Sequence, residues 1–161
     1  MDALPATALR AATAADLPTL RRFKQALVAA ERPFDPTLKS GELHYYDLDE
    51  LLTCPDTCLL VAEQAGHVIG CGYARLIPAE PFLRHAHYAH LGFMYVEPPC
   101  RGRGVNARLI EALKQWAGAH GVRELRLKVY AQNASARHAY EKAGFSPHLL
   151  EMRWGSESPF S

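Results

Sequence analysis

Apolar positions along the chain change period several times, and each change marks an element. Leu9 to Thr13 reads as a short first strand. Leu17, Leu20, Phe23 and Leu27 then recur at helical spacing, with Thr13 or Asp16 as cap and Pro18 tolerated in the first turn. Prolines make Arg32 to Pro36 a loop, and Asp47 to Leu52 reads as a shorter helix whose apolar side is Leu48, Leu51 and Leu52. Thr57 to Gln64 and His67 to Leu76 flank Ala65-Gly66 as an antiparallel hairpin, with Gly70 and Gly72 marking bulges. Another strand carries Leu91, Phe93, Tyr95 and Val96 and breaks at Glu97-Pro98-Pro99. Val105, Leu109, Leu113 and Trp116 then form one stripe of a helix, widened by Ile110 and Ala117, that ends at His120-Gly121-Val122. Glu124 to Tyr130 alternates Leu125, Leu127 and Val129 with polar residues, as a strand does. Asn133 caps a helix from Ala134 to Ala143, closed by Gly144, and Leu149 to Trp154 reads as a last strand.

The order strand, turn, helix, strand around Val105 to Ala117 is a βαβ unit, so the strands on either side of that helix should be parallel. The fold class expected is therefore α/β (α+β). With 161 residues, 48% of them hydrophobic, the chain has the size of one domain, assigned to residues 1–155 with 156–161 as a frayed tail. A formal net charge of +1 lacks the basic excess of a general nucleic-acid binder, so any anion site must be local. No apolar stretch reaches membrane-spanning length and the first residues lack a signal-peptide pattern, which leads to the expectation of a cytoplasmic protein with no membrane or nucleic-acid partner. Cys54, Cys58, Cys71 and Cys100 are expected as free thiols.

One local anion site is legible. Arg101-Gly102-Arg103-Gly104 joins a strand to a helix. Glycines let a backbone approach a ligand closely, and a helix N-terminus offers unpaired N–H groups and the positive end of its dipole. A phosphate-bearing ligand is the first expectation.

The run V-E-P-P-C-R-G-R-G-V-N, followed at the right separation by L-K-V-Y-A-Q-N-A-S-A-R-H-A-Y-E-K-A-G-F, resembles the GNAT superfamily of N-acetyltransferases. The resemblance is strong from His90 to Phe145 and compatible in element order from Leu9 to Leu76. It implies a mixed, mostly antiparallel sheet with a central splayed parallel strand pair and helices on both faces. It also implies acetyl-CoA as acetyl donor, its pantetheine arm beside Met94, Tyr95 and Val96 and its diphosphate over Arg101, Gly102, Arg103, Gly104, Val105 and Asn106, with Asn133 and Tyr140 completing the cofactor side. The family pattern departs at Asn106, where relatives carry almost no side chain, and an altered fit is expected there. By the same resemblance the acetyl group passes to an amine by direct attack through a tetrahedral intermediate, with a backbone N–H near Met94 or Tyr95 as oxyanion donor. Tyr140 is then the general acid and His90 the base, with His87, Glu80, Asp47 and Glu97 in reserve.

Two other classes stay open on the residues: a non-catalytic acyl-CoA sensor, and a metal-dependent hydrolase using His85, His87 and His90. The spacing of those histidines puts His87 and His90 on opposite faces of a regular strand, so no metal is expected. The acceptor side would be lined by residues 32–47 and 78–88. Their Tyr45, Tyr46, Phe82 and Tyr88, mixed with Glu42, Asp47, Glu80 and the adjoining Asp49, suit a small-molecule or peptide amine. A homodimer is compatible with this reading.

Overall fold

At Ala65 and Gly66 the backbone turns with φ of 47° and 79°, both left-handed, the hairpin geometry whose twist matches the strands it joins. From that turn β2 (Thr57–Gln64) and β3 (His67–Pro78) pair antiparallel, starting at Gln64 opposite His67. The computed structural model describes residues 5–155, so the expected tail at 156–161 lies outside the described residues. The remaining elements are β1 (Thr7–Ala11), α1 (Leu17–Glu31), α2 (Leu48–Thr53), β4 (His87–Val96), α3 (Val105–Ala119), β5 (Leu125–Arg126) and α4 (Ala134–Lys142). They form one sheet in the order β1-β2-β3-β4-β5, antiparallel except for the final pair.

Alternation along the strands sends side chains to two cores. Leu20 and Phe23 of α1 and Leu48 and Leu51 of α2 pack on Leu59, Val61, Cys71, Tyr73, Phe93 and Tyr95. On the opposite face Ile110, Leu113 and Ala117 of α3 meet Ala74, Ala89 and Leu91, and Leu109 meets Ala62, Ile69 and Val96. Asp16 ties β1 to α1. It is 6% exposed, takes both guanidinium arms of Arg10 at 2.8 and 2.9 Å and accepts the Thr13 N–H at 2.8 Å. The Arg10 guanidinium holds its carboxyl below the usual carboxylate range.

The structure departs from the pattern reading at several points. The first strand is Thr7–Ala11, and Asp47 is the cap of α2, its carboxylate accepting the Glu50 N–H at 3.0 Å. The strand expected over Glu124 to Tyr130 is paired only at Leu125 and Arg126, and the strand expected at Leu149 to Trp154 is not formed. Alternation states which faces a segment could present. A strand also needs a neighbouring backbone, and past Arg126 the chain has diverged from β4. Of the two glycines read as bulge marks, Gly70 follows the extra residue on β3 where pairing with β2 shifts. Gly72 lies opposite an extra residue carried by β4 instead.

These two glycines are needed for different reasons. A Cβ on Gly70 would lie 2.8 Å from the carbonyl oxygen of Tyr95, which is backbone, whereas one on Gly72 would meet the Met94 sulfur, the far end of a flexible side chain. Gly70→Ala should therefore cost about 1–3 kcal/mol of unfolding free energy in urea titration. Gly72→Ala should cost less, since Met94 can swing away.

Candidate active site

β4 carries the irregularity around which the site is built. Opposite β3, Cys71 pairs with Tyr95 and Tyr73 with Gly92, so β4 has one residue too many. Phe93 absorbs it with φ of 53°, a left-handed conformation costing a non-glycine residue about 1–2 kcal/mol. Its side chain is 1% exposed, and burying a phenylalanine contributes about 1.5–3 kcal/mol, enough to offset the strain. The bulge's polar groups are also occupied: the Phe93 N–H donates to the Tyr46 hydroxyl at 3.3 Å, and the Cys71 thiol donates to the Phe93 carbonyl at 3.3 Å. Met94 carries the first amide after the bulge.

Beside the bulge the sheet opens. β4 and β5 pair only through Ala89 with Leu125 and His90 with Arg126, so among the described residues the edge of β4 from Leu91 to Val96 has no strand against it on that side. That edge leads through the tight turn Pro98–Cys100 into the glycine loop. Gly102 and Gly104 have φ of 77° and 81°, and nothing lies within 4 Å of where a Cβ would stand on either. Gly104 is the N-cap of α3 and has no side chain to cap with, so no side chain caps the first N–H groups of the helix among the described residues. The loop thus fits a diphosphate. Of the two arginines, Arg101 does not reach into that space: its Nε donates to the Val96 carbonyl at 2.8 Å and its guanidinium lies over the Tyr95 ring. Arg103 is exposed, Val105 is buried and anchors the first turn, and Asn106 is half-buried at the second position of the helix. Asn133 spends its side-chain oxygen on the cap of α4, accepting the Ala136 N–H at 3.2 Å.

Tyr140 lies on α4 and packs into the core that holds Leu91, Leu125 and Leu127, with its ring edge-on to Phe145. Burial, with a contribution from the charge of Glu31, pushes its hydroxyl up to about 12. His90 lies on the other face, its ring 6.1 Å from that of Tyr73. Burial, then the charge of Lys128, lowers its pKa, so the ring is neutral near pH 7. No hydrogen bond joins Tyr140 to His90 among the described residues. On the His90 side of the sheet Tyr73 meets Tyr46 edge to face at 5.7 Å. Burial is also the main cause that raises the hydroxyl of Tyr46, with smaller contributions from Tyr73, Glu31 and Tyr140.

The reserve bases are used otherwise or lie outside. Glu97 is paired with Arg22 at 2.9 Å, Asp47 caps α2, and His87 and Glu80 are exposed. His85 shares a contact of 3.4 Å with the Arg126 guanidinium, and among the described residues no group of three His, Cys, Asp or Glu side chains is gathered to hold a metal ion. All four cysteines are free thiols. Pattern reading passed over Glu31. At the end of α1 its carboxyl is raised by burial, an effect partly offset by the neighbouring Tyr45 hydroxyl. That hydroxyl is itself buried and, among the described residues, falls short of hydrogen-bonding geometry with any partner. A glutamate closing an amphipathic helix ordinarily reads as solvated, and only packing by the tyrosines brings this one inside.

This combination of a bulged strand, a splayed parallel neighbour and a glycine loop on a helix N-terminus defines an acyltransferase fold of the GNAT type. The acetyltransferase (GNAT) family model matches residues 24–145, and the chain belongs to that family. Among curated proteins it is similar to an IAA acetyltransferase of Azospirillum brasilense, 35% identical over 103 residues that make up 64% of this chain and 63% of that protein. The match therefore spans somewhat under two thirds of that relative. Among solved structures it is similar to a mutant of the BH1408 protein of Bacillus halodurans, with a TM-score of 0.83, 18% identity, and coverage of 92% of this chain and 98% of that one. A predicted acetyltransferase of Clostridium acetobutylicum with acetyl-CoA gives a TM-score of 0.72 at 19% identity, covering 92% and 96%. At such identities these two show the shared fold.

The electrostatics of His90 can be checked directly. Its ring should titrate below the ordinary histidine value of about 6.5 in a proton NMR titration. Lys128→Gln should raise that midpoint while leaving it below the ordinary value, because burial is the larger cause.

Proposed function

We propose that this chain transfers the acetyl group of acetyl-CoA to a primary amine of a small molecule or peptide. The observation that carries the reading is the divergence of β4 from β5 past His90 and Arg126, which runs an unpaired strand edge straight to an uncapped helix N-terminus. Bound acetyl-CoA supplies an activated acetyl group as its thioester. Met94, Tyr95 and Val96 offer edge backbone groups to an extended amide-bearing arm, as a sheet does to an added strand. Arg103 and the N–H groups of residues 102 to 106 hold the diphosphate, while Arg101 orders the loop from beneath. Asn106 contributes its backbone N–H, and Asn133 sets the start of the helix that carries Tyr140.

The amide of Met94, presented by the bulge, donates to the oxygen on which negative charge develops. Neutral His90 accepts the proton of the attacking amine, directly or through water. Tyr140 keeps its proton at neutral pH. Against a thiol of about 8.5 it is the weaker acid by about three pKa units, so it acts chiefly by donating a hydrogen bond to the departing sulfur. The acceptor side takes a cationic amine. Glu31, with Tyr45 and Tyr46 around it, supplies a carboxylate whose burial strengthens its attraction for an ammonium group.

A screen of amines with acetyl-CoA, read by release of free thiol, tests the reading. Binding without thiol release from any amine would favour an acyl-CoA sensor on this fold. Tyr140→Phe should lower kcat by about 100-fold with the dissociation constant of acetyl-CoA nearly unchanged, since the packing stays and only the donor is lost. Gly104→Val should instead raise that dissociation constant by about 10-fold or more in calorimetry, because its side chain would enter the open space over the helix and strain a positive φ. Wild-type cofactor affinity in Gly104→Val would place the diphosphate elsewhere.

A further inference from the structure

The inner face of α1 carries a charge that the proposed reaction does not use. Lys24 is 6% exposed, as deep as Asp16, but Asp16 holds both arms of Arg10 while Lys24 has no ion pair among the described residues. Its Nζ lies 3.3 Å from Nδ1 of His44, and that is the one hydrogen bond of its side chain among those residues. An ammonium group has three donors, and a buried charge is costly unless it is paired. Lys24 lines a cavity of about 340 Å³ with Arg21, His44, Tyr46, Asp47 and Asp49. Tyr46 joins that cavity to the bulge, since its hydroxyl accepts the Phe93 N–H at 3.3 Å. The donors left over on Lys24 therefore stand on the acceptor side of the bulge.

We propose that Lys24 binds a carboxylate of the acceptor, which, resting on the acetyl-transfer reading, makes the acceptor an amino acid whose reacting amine and carboxylate are separated by a carbon chain. The separation comes from the helix. Lys24 and Glu31 share one face of α1 about two turns apart, ~10 Å along its axis. Glu31 meets the ammonium at one end and Lys24 the carboxylate at the other, a distance that two charges attached to a single carbon do not span. Charge selects the anion. Arg21, one turn before Lys24, adds a second cation at the cavity, whereas Asp47 and Asp49 are exposed carboxylates at its wall. Their repulsion acts more strongly on a phosphate dianion than on a carboxylate, and Asp47 is held in place by its cap on the Glu50 N–H.

Calorimetry of the full chain loaded with CoA tests this without turnover. The ω-amino acids from glycine to ε-aminocaproate are titrated, each beside its own primary amide. A longer member should bind about 10-fold or more tightly than its amide, and glycine should show no such preference. Lys24→Gln should remove the preference by lowering affinity for the acid alone, with binding of the amide and of CoA unchanged. That substitution takes away an unpaired buried charge, so the fold is retained. The parent gives a second reading: the acid should shift the His44 ring signals in NMR at concentrations where its amide does not. No preference for the acid anywhere in the series overturns the proposal, as does a preference that survives Lys24→Gln. Thiol release from amines with no preference for the acid overturns this inference alone. Preferential binding of the acid, with no thiol release from any amine, overturns acetyl transfer alone.

Discussion

The left-handed backbone of Phe93 is the constraint on which the rest of the structure depends. A regular β4 would hold its pairing with β3 and keep a single alternation of side chains to its end. The extra residue lets β4 send both Gly92 and Phe93 toward the face of α1 and α2, then resume alternation with Met94 toward α3. The strain is local and small, and the means of holding it are spread over several elements. Phe93 fills the core under α1 and stacks on Tyr46 at 5.0 Å, while Tyr46 and Cys71 satisfy its backbone N–H and carbonyl. Loss of any one support would leave the others in place, which is how a backbone conformation of this kind persists in a folded chain.

Beside the bulge lies the candidate site. β5 pairs with β4 only as far as His90, and past that point the β4 edge runs on to the turn that starts α3. Met94 completes the arrangement, since its side chain occupies the place over Gly72 that any Cβ there would claim. The glycines at 72, 102 and 104 therefore do unlike work: the first yields room to a neighbour, and the other two take a left-handed turn with open space where a side chain would stand.

A cluster of phenols occupies the face opposite α3. Tyr46 touches Tyr45, Tyr73 and Phe93, and Glu31 influences the hydroxyls of Tyr45, Tyr46 and Tyr130. Burial raises every one of these hydroxyls, so the phenols stand as neutral hydrogen-bond donors beside the carboxyl groups of Glu31 and Asp35. On the proposed function these carboxylates would meet the charge of an ammonium ion and the phenolic oxygens would accept its N–H groups.

Much of this was legible residue by residue. Helical spacing located α1 and α3, Ala65-Gly66 located the hairpin, and Arg101 to Gly104 located the anion loop, because each depends on neighbours in sequence: turn chemistry, capping and the period of burial. The βαβ order implied the parallel pairing of β4 with β5 for the same local reason, as did Asn133 for the start of α4. Other features depend on what meets across the fold. The bulge falls on β4 and not at Gly72 because pairing register is a property of two strands together. Arg101 turns under its loop because the Val96 carbonyl is there to receive it, and Glu31 is half-buried because tyrosines from a later loop close over it. Leu149 to Trp154 has the composition of a strand, yet a strand exists only where another backbone accepts its hydrogen bonds, and the tertiary structure places none beside it.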